Sequence, residues 1–372
     1  MPPGAAQGGG GKPSPFGFPG SEFNSFRLGL DASWELDLFG GARSGLRAAT
    51  ARREAAEWSR RDLQVALAAE TAAHYLTLRS LQQREAIAWR ELSRQRELLS
   101  IVSSRADAGV ISRLDVRQQQ ALVDGAEAKA YPLEAKVRAE IYALGVLVGE
   151  PPEALIATLT PVAAAPAPPP APPPGLPSDL LRRRPDIRRA EREVTAAAGD
   201  VGVATADLYP KITLSAQPGL VSTSLATLID WGSRNYTLGS GLLWPIVDGG
   251  RLRATLAGAH ARHGEALLAY RKAVLTGLAQ VEDALSQYEA DQARRGSLSA
   301  GLEDARAAHV LALEQNRAGI VTYATVLNAE AVVIAGEDQL AEADVGRAQD
   351  VVDLYKALGG GWRQEDLQGD KP

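Results

Sequence analysis

The chain's first patterned stretch alternates strictly. Phe26, Leu28, Leu30, Ala32, Trp34, Leu36 and Leu38 are apolar, with Arg27, Gly29, Asp31, Ser33, Glu35 and Asp37 between them. A period of two belongs to a two-faced β-strand, so the pattern predicts one strand over 26–38. A second alternation runs through Tyr236, Leu238, Ser240, Leu242 and Trp244, and a third through Ile212, Leu214 and Ala216 before Pro218-Gly219. Each is close to the roughly 9–11 residues that a tilted strand needs to cross a bilayer. A half-buried strand of a soluble sheet has the same period, and the pattern leaves both readings open.

After Gly40-Gly41 and again after Gly249-Gly250 the sequence turns helical, over about 42–103 and 251–316. Sixty residues of helix extend roughly 90–100 Å. No globular core encloses such a rod, so the two helices are expected to pack along their length, as coiled coils or stacked hairpins do. Both end on one signature, Arg105-Ala106-Asp107-Ala108-Gly109-Val110-Ile111-Ser112 and Asn316-Arg317-Ala318-Gly319-Ile320-Val321-Thr322. Glycine supplies the left-handed C-cap, and Ser112 or Thr322 can N-cap a returning helix. The return arms are expected at 113–148 and 323–358, with a further helix from Leu180 to Asp207 covering the upper part of the outgoing arms.

The two halves are copies. Trp34 corresponds to Trp244, 210 positions on, and the same shift carries Leu28-Gly29 to Leu238-Gly239, Gly40 to Gly250, Arg43 to Arg253 and Ala108-Gly109 to Ala318-Gly319. A fixed offset of this kind marks one structural unit used twice. Between the copies lies Ala163 to Pro174, whose prolines read as a polyproline II spacer.

Composition narrows the function. Aromatic residues are only 5% of the 372, and alanine takes their place, which suits closely packed helices more than a globular core. A net charge of −5 lacks the basic footprint that nucleic acid requires. Zero cysteines exclude disulfides, thiolate metal sites and cysteine nucleophiles. No run of about 18 apolar residues encodes a membrane-spanning helix, which leaves a β-barrel open. His260 and His263 stand three apart, but no nearby carboxylates support a metal site. Glu282-Asp283 and Glu303-Asp304 read as solvated helix faces. Arg182-Arg183-Arg184, with Arg188, Arg189 and Arg192, reads as a helix start, Pro185 at its first position and Asp186 in its first turn. No catalytic constellation, cofactor or metal is expected, so an enzyme is not.

Four motifs point to a family. Ser33-Trp34-Glu35-Leu36-Asp37-Leu38-Phe39-Gly40, Leu181 to Arg188, Trp244-Pro245-Ile246-Val247-Asp248-Gly249-Gly250-Arg251 and Leu354 to Trp362 resemble landmarks of the outer-membrane efflux factors. These are the TolC-like channel subunits of tripartite pumps, here in their NodT branch. The resemblance implies a mainly α fold with membrane β. In a homotrimer, strands from each copy close a twelve-stranded barrel and helical hairpins form a periplasmic tunnel. Phe26, Leu28, Leu30 and Trp34 would then face lipid, with Trp34 and Trp244 as membrane-interface aromatics, and Arg27, Asp31 and Glu35 would face the lumen.

The resemblance also assigns the hairpin tips, Ala108, Gly109, Val110 and Leu114 with Ala318, Gly319, Ile320 and Val321, to docking a periplasmic adaptor that joins the channel to an inner-membrane pump. A plain hairpin turn would use the same glycines. Asp115 fits the periplasmic gate, and Asn328 stands where the family carries an aspartate, which puts gate selectivity in doubt. Implied too are outer-membrane lipid as a partner, a Gram-negative outer-membrane location with the helices in the periplasm, and a passive conduit for drugs or other small molecules.

The expected division is 1–25 as a Gly/Pro-rich loop, 26–150 as a first repeat lacking its leading helix and first strand, 151–179 as a Pro-rich linker, 180–362 as the second repeat and 363–372 as a tail. Met1 to Gly11 shows neither the basic nor the apolar region of a secretory signal. Together with the missing first strand and the absent anchor cysteine, this suggests an N-terminally shortened family member. The rival class is a soluble elongated coiled-coil scaffold or adaptor, which shares the hairpins but has no need of apolar-out strands.

Overall fold

The computed structural model describes residues 24–163 and 183–360. Most of the expected N-terminal loop, the polyproline spacer, Leu180–Arg182, Trp362 and the tail lie outside the described residues. The chain divides into two compact units, residues 1–46 with 199–260 and residues 47–198 with 261–372.

The first unit is built on one antiparallel sheet. Strands β1 (Phe26–Gly29) and β2 (Ala32–Leu36) both pair with β3 (Lys211–Ser222), and β4 (Arg234–Leu243) pairs with the other side of β3. Gly29 lies opposite Gly219 and Ala32 opposite Ala216, so β1 and β2 hold one register against β3. They are the single strand expected over 26–38, interrupted opposite Pro218. The cause is the hydrogen-bond pattern. The Leu30 amide donates to the Pro218 carbonyl at 2.9 Å, but proline has no N–H to return the bond. The next ladder is spared, because Pro218 and Tyr236 form the alternate kind of pair, which exchanges no hydrogen bonds. β3 therefore continues through Pro218-Gly219 to Ser222 instead of ending before them.

Register sorts most side chains by face, with Ser222, Arg234 and Ser240 as polar exceptions on the apolar side and Val221 and Leu243 as apolar exceptions on the other. Leu28, Trp34 and Leu36 share a face with Ile212, Leu214 and Leu220 and with Tyr236, Leu238 and Leu242. The opposite face carries Arg27, Ser33, Glu35, Thr213, Ser215, Gln217 and Thr237 with Gly29, Gly219, Gly239 and Gly241. One face is apolar yet exposed, and the other is polar and small.

Helix α1 spans Gly41–Asp107 and α2 Arg113–Leu147, followed by the short α3, Ile156–Leu159. Helix α4 spans Pro185–Ala206, α5 Arg251–Arg317 and α6 Tyr323–Ala357. The duplication is visible in the bounds, since α1 and α5 both have 67 residues, α2 and α6 both have 35, and each copy starts 210 positions after its counterpart. The long helices begin under carboxylate caps. Asp37 accepts from the Ala42 and Arg43 amides at 3.2 and 3.0 Å, and Asp248 from the Leu252 amide at 2.7 Å. These backbone hydrogen bonds hold both carboxyls below the ordinary aspartate range.

In the second unit α1 pairs with α2 through Gln95–Gln119 and His74–Glu140, each at 2.6 Å. It pairs with α6 through Arg84–Asp338 at 2.6 and 2.9 Å and Gln349–Thr77 at 2.8 Å. Helix α6 in turn meets α5 through Arg295–Asp344 and Arg306–Glu337. The helix order is thus α2, α1, α6, α5, with the outgoing arm of one hairpin against the return arm of the other. Apolar contacts are local: Leu78, Leu81, Val137, Ile141 and Leu144 form one cluster, and Leu92, Val123 and Ala126 another. Helix α4, Pro185–Ala206, lies within the expected 180–207 segment, whose start at Leu180 is outside the described residues, and it packs on both long helices. Arg192 pairs with Glu54 of α1, Arg188 lies over Trp58, and Ile187 approaches Gly277 of α5. No helix among the described residues is long and apolar enough to cross a membrane.

Candidate functional site

Three places carry the chain's functional geometry. The first is the pair of hairpin tips. Gly109 and Gly319 have φ of +73° and +72°, a left-handed conformation that L side chains rarely adopt. Around them the amides of Gly109 and Val110 bond back to Ala106 and Arg105, and those of Gly319 and Ile320 to Asn316 and Gln315, at 2.9–3.0 Å. This is the glycine-capped helix end read from the sequence. The apolar residues that follow point into solvent, Val110 and Ile320 each 72% exposed and Leu114 64%. Ala108 and Ala318 are exposed beside them, and Val321 is half-buried. A Cβ at either glycine would meet nothing within 4 Å, so backbone conformation alone reserves these positions.

The caps of the return arms differ. Ser112 Oγ accepts from the Asp115 amide at 3.4 Å, and Asp115 Oδ2 accepts from the Ser112 amide at 2.9 Å, a complete capping box. Thr322 occupies the equivalent place but makes no side-chain cap, contrary to expectation. Its third helical residue is Thr325, whose hydroxyl meets that of Thr322 at 3.3 Å, where a carboxylate would have reached back to the amide. Asp115 is exposed, yet its carboxylate is engaged in the cap. Asn328 is exposed and borders a groove of about 620 Å³ between α1, α2 and α6, which Lys129 and Lys136 also line. Tyr323, next to the second tip, has its phenol pushed up by burial.

The second place is the sheet's apolar face. Trp34, on that face, lies opposite Leu214, while Trp244 follows the end of β4 and its indole donates to the Leu208 carbonyl at 3.2 Å. Trp244 is thus just past the last paired residue of β4 and tied to Leu208, next in the chain to Tyr209, whose ring stacks on Phe39. Trp34 is farther along the strands, within the apolar face.

The third place was not foreseen. Arg184, read from sequence as part of a helix start, is only 6% exposed. Its guanidinium donates to Asp186 at 3.0 and 2.7 Å, to Gln280 Oε1 at 2.6 Å and to the Ala357 carbonyl at 2.7 Å. The Arg-Arg-Arg-Pro-Asp and Leu-Tyr-Lys-Ala-Leu-Gly-Gly motifs therefore meet. Gly359, with φ of +96°, brings its backbone so close to Arg183 and Arg184 that a Cβ would lie 3.0 Å from their main chain. The surrounding cleft carries Asp62 and Asp350. Burial raises both carboxyls, Asp350 to about 6 with Asp291 and Asp353 adding to the shift.

An apolar-faced sheet joined to duplicated long helical hairpins defines a subunit of a TolC-like outer-membrane channel. The chain belongs to the outer membrane efflux protein family, whose model matches residues 11–150 and 176–360. It is 37% identical over 346 residues to the pyoverdine export outer membrane protein OpmQ of Pseudomonas aeruginosa, spanning 93% of this chain and 72% of that one. To nodulation protein T of Rhizobium leguminosarum bv. viciae it is 32% identical over 335 residues, spanning 90% and 69%. Among solved structures it superposes on the outer-membrane channel OprN with a TM-score of 0.84 at 39% identity, covering 90% of this chain and 76% of OprN. The protein is an outer-membrane efflux channel subunit, and the soluble scaffold reading is set aside. Family and relatives are channels rather than enzymes.

Proposed function

We propose that three copies of this chain close their sheets into one lipid-embedded barrel and their hairpins into one water-filled periplasmic tunnel. The observation that carries this reading is the sheet's division into an exposed apolar face and a small polar face. An apolar face left in water costs about 25 cal/mol per Å² and is retained where lipid covers it. The small polar face then lines the conduit, and Trp244 sits at the membrane–water interface with Trp34 deeper in the apolar band.

The two tips dock a periplasmic adaptor through Ala108, Gly109, Val110 and Leu114 and through Ala318, Gly319, Ile320 and Val321, linking the channel to an inner-membrane pump that supplies the energy. Asp115 and Asn328 lie just beyond the tips and narrow the closed entrance. The chain itself is a passive path for small molecules. Cross-linking of the detergent-extracted protein and co-purification with the adaptor test the reading. Trimers that retain the adaptor support it, and a monomer recovered without detergent overturns it.

A further inference from the structure

We propose that the outer rim of the barrel holds a phosphorylated outer-leaflet lipid, the lipid A of the outer membrane, through Arg234 backed by Trp231. The proposal rests on the orientation proposed above, in which the helices point into the periplasm. Helices α1, α4 and α5 all adjoin one end of the sheet, after Leu36, before Lys211 and after Leu243. The connection between β3 and β4 is at the opposite end, which is then the outer-leaflet end.

Arg234 is the first residue of β4 and lies opposite Leu220, which lies opposite Leu28. It therefore stands on the apolar, lipid-facing side of the sheet, in line with Tyr236, Leu238 and Leu242. The ten residues of β4 extend roughly 33 Å, and a tilt near 45° reduces this to about the 25 Å of an outer-membrane apolar band. With Trp244 at one border of that band, Arg234 falls at the other, at the level of the lipid headgroups.

The guanidinium is prepared for an anion. It stacks 3.2 Å above the Trp231 ring, itself 77% exposed, and among the described residues no hydrogen bond or ion pair occupies its donors. The stack fixes the plane of the fork without using an N–H, so a phosphate can be met by two parallel hydrogen bonds. Asp230 is the one acidic residue between β3 and β4, and it is not paired with Arg234. Leu225 and Ile229, in the same connection between β3 and β4, are exposed, and Tyr236 and Leu238 follow Arg234 on the apolar side of β4. The result is a cationic head above an apolar wall, matching a phosphorylated headgroup above acyl chains. Arg27, on the polar face opposite Val221, lacks this setting.

Native mass spectrometry of the full chain purified in detergent and titrated with bis-phosphorylated lipid A tests the proposal. Parallel titrations use dephosphorylated lipid A and phosphatidylglycerol. Arg234→Gln should weaken binding of the phosphorylated lipid about tenfold or more, as expected for losing a charge-assisted bidentate contact. Arg234→Lys should recover part of it, and Arg27→Gln should change nothing. Equal binding by Arg234→Gln, or equal binding of dephosphorylated lipid A by the parent, overturns the proposal. Phosphatidylglycerol bound as tightly as lipid A also overturns it, because the surface would then recognise any anionic lipid.

The orientation is checked separately. The chain has no cysteine, so Thr223→Cys gives one thiol between β3 and β4 for an impermeant reagent on intact cells. Labelling from outside with unaltered lipid binding by Arg234→Gln defeats the lipid inference alone. No labelling defeats the orientation beneath it.

Discussion

Arg184→Ala is expected to loosen the junction between α4 and the end of α6 more than any surface substitution. The guanidinium is 6% exposed and is shared among Asp186, Gln280 and the Ala357 carbonyl. Truncating it removes those bonds and leaves the Asp186 carboxylate, the Gln280 amide oxygen and a backbone carbonyl to find new partners. Individual hydrogen bonds to a charged group contribute about 1.5–3 kcal/mol and do not add. Removing one partner of a buried ion pair costs about 3–5 kcal/mol, chiefly through the charge left behind. The loss should therefore be about 3–5 kcal/mol, which for a chain of 372 residues is a fall in melting temperature of about 4–6 °C. Arg184→Lys keeps the charge but not the fork and should lose less. Adding Asp186→Asn to Arg184→Ala should recover part of the loss, because the orphaned charge is then gone. Thermal melting followed at 222 nm in one detergent gives the ranking, and hydrogen exchange locates it, with protection lost at 354–360 and kept at 105–115. Melting of Arg184→Ala within about 2 °C of the parent would refute the reasoning.

Other expectations follow from the same geometry. Valine at Gly109 and Gly319 should cost about 1–2 kcal/mol each through backbone conformation, since no neighbour is there to clash. Adaptor co-purification should fall while the trimer persists, and normal co-purification would count against tip docking. Ser112→Ala should cost about 1 kcal/mol in melting experiments, whereas Thr322→Ala should cost little, since Thr322 caps nothing. The Asp350 carboxyl titrates near 6 in the folded chain against an ordinary value near 3.8. Its folded value is raised, so its contribution is fully present below the unfolded value and is lost as pH rises toward and through 6. Asp350→Asn should flatten the dependence of melting temperature on pH between about 4 and 7 and stabilise the chain more at pH 7.5 than at pH 4.5. An unchanged slope would contradict this.

What the sequence disclosed depended on whether a local signal existed. The helix ends were legible because Gly109 and Gly319 need a left-handed backbone and Ser112 with Asp115 makes a cap within four residues. The break in the first strand was not, because it arises from Pro218 almost 190 positions away and only once the register directs its absent N–H toward Leu30. Nor was the helix order, since alanine-rich outgoing arms offer similar surfaces to either return arm. It is fixed by pairs such as Arg84–Asp338 that no periodicity reveals. Arg184 escaped because an arginine triplet beside Pro-Asp looks like a solvated helix start, and its burial depends on Gly359 letting another main chain come within touching distance.

The duplication copied the backbone more faithfully than the chemistry that stabilises it. Residues 101–111 and 311–321 have the same sequence of buried, half-buried and exposed positions, and both tips turn on a glycine of nearly equal φ. Yet the first return arm is tied by a reciprocal capping box, whereas the second tip is held by two hydroxyls and by the Asn316 amide, which donates to the Val321 carbonyl at 2.9 Å. A cap is worth about 1 kcal/mol and a neutral hydrogen bond about 0.5–1.5 kcal/mol, so the Asn316 bond offsets the missing box and the tips differ in which groups are tied more than in how firmly. The difference bears on the proposed gate. Asp115 must give up two hydrogen bonds from Ser112 before its carboxylate can swing into a channel entrance, whereas Asn328 is bound by no such cap. Movement of the entrance should then begin at Asn328 on the second hairpin, while Asp115 stays held in its cap.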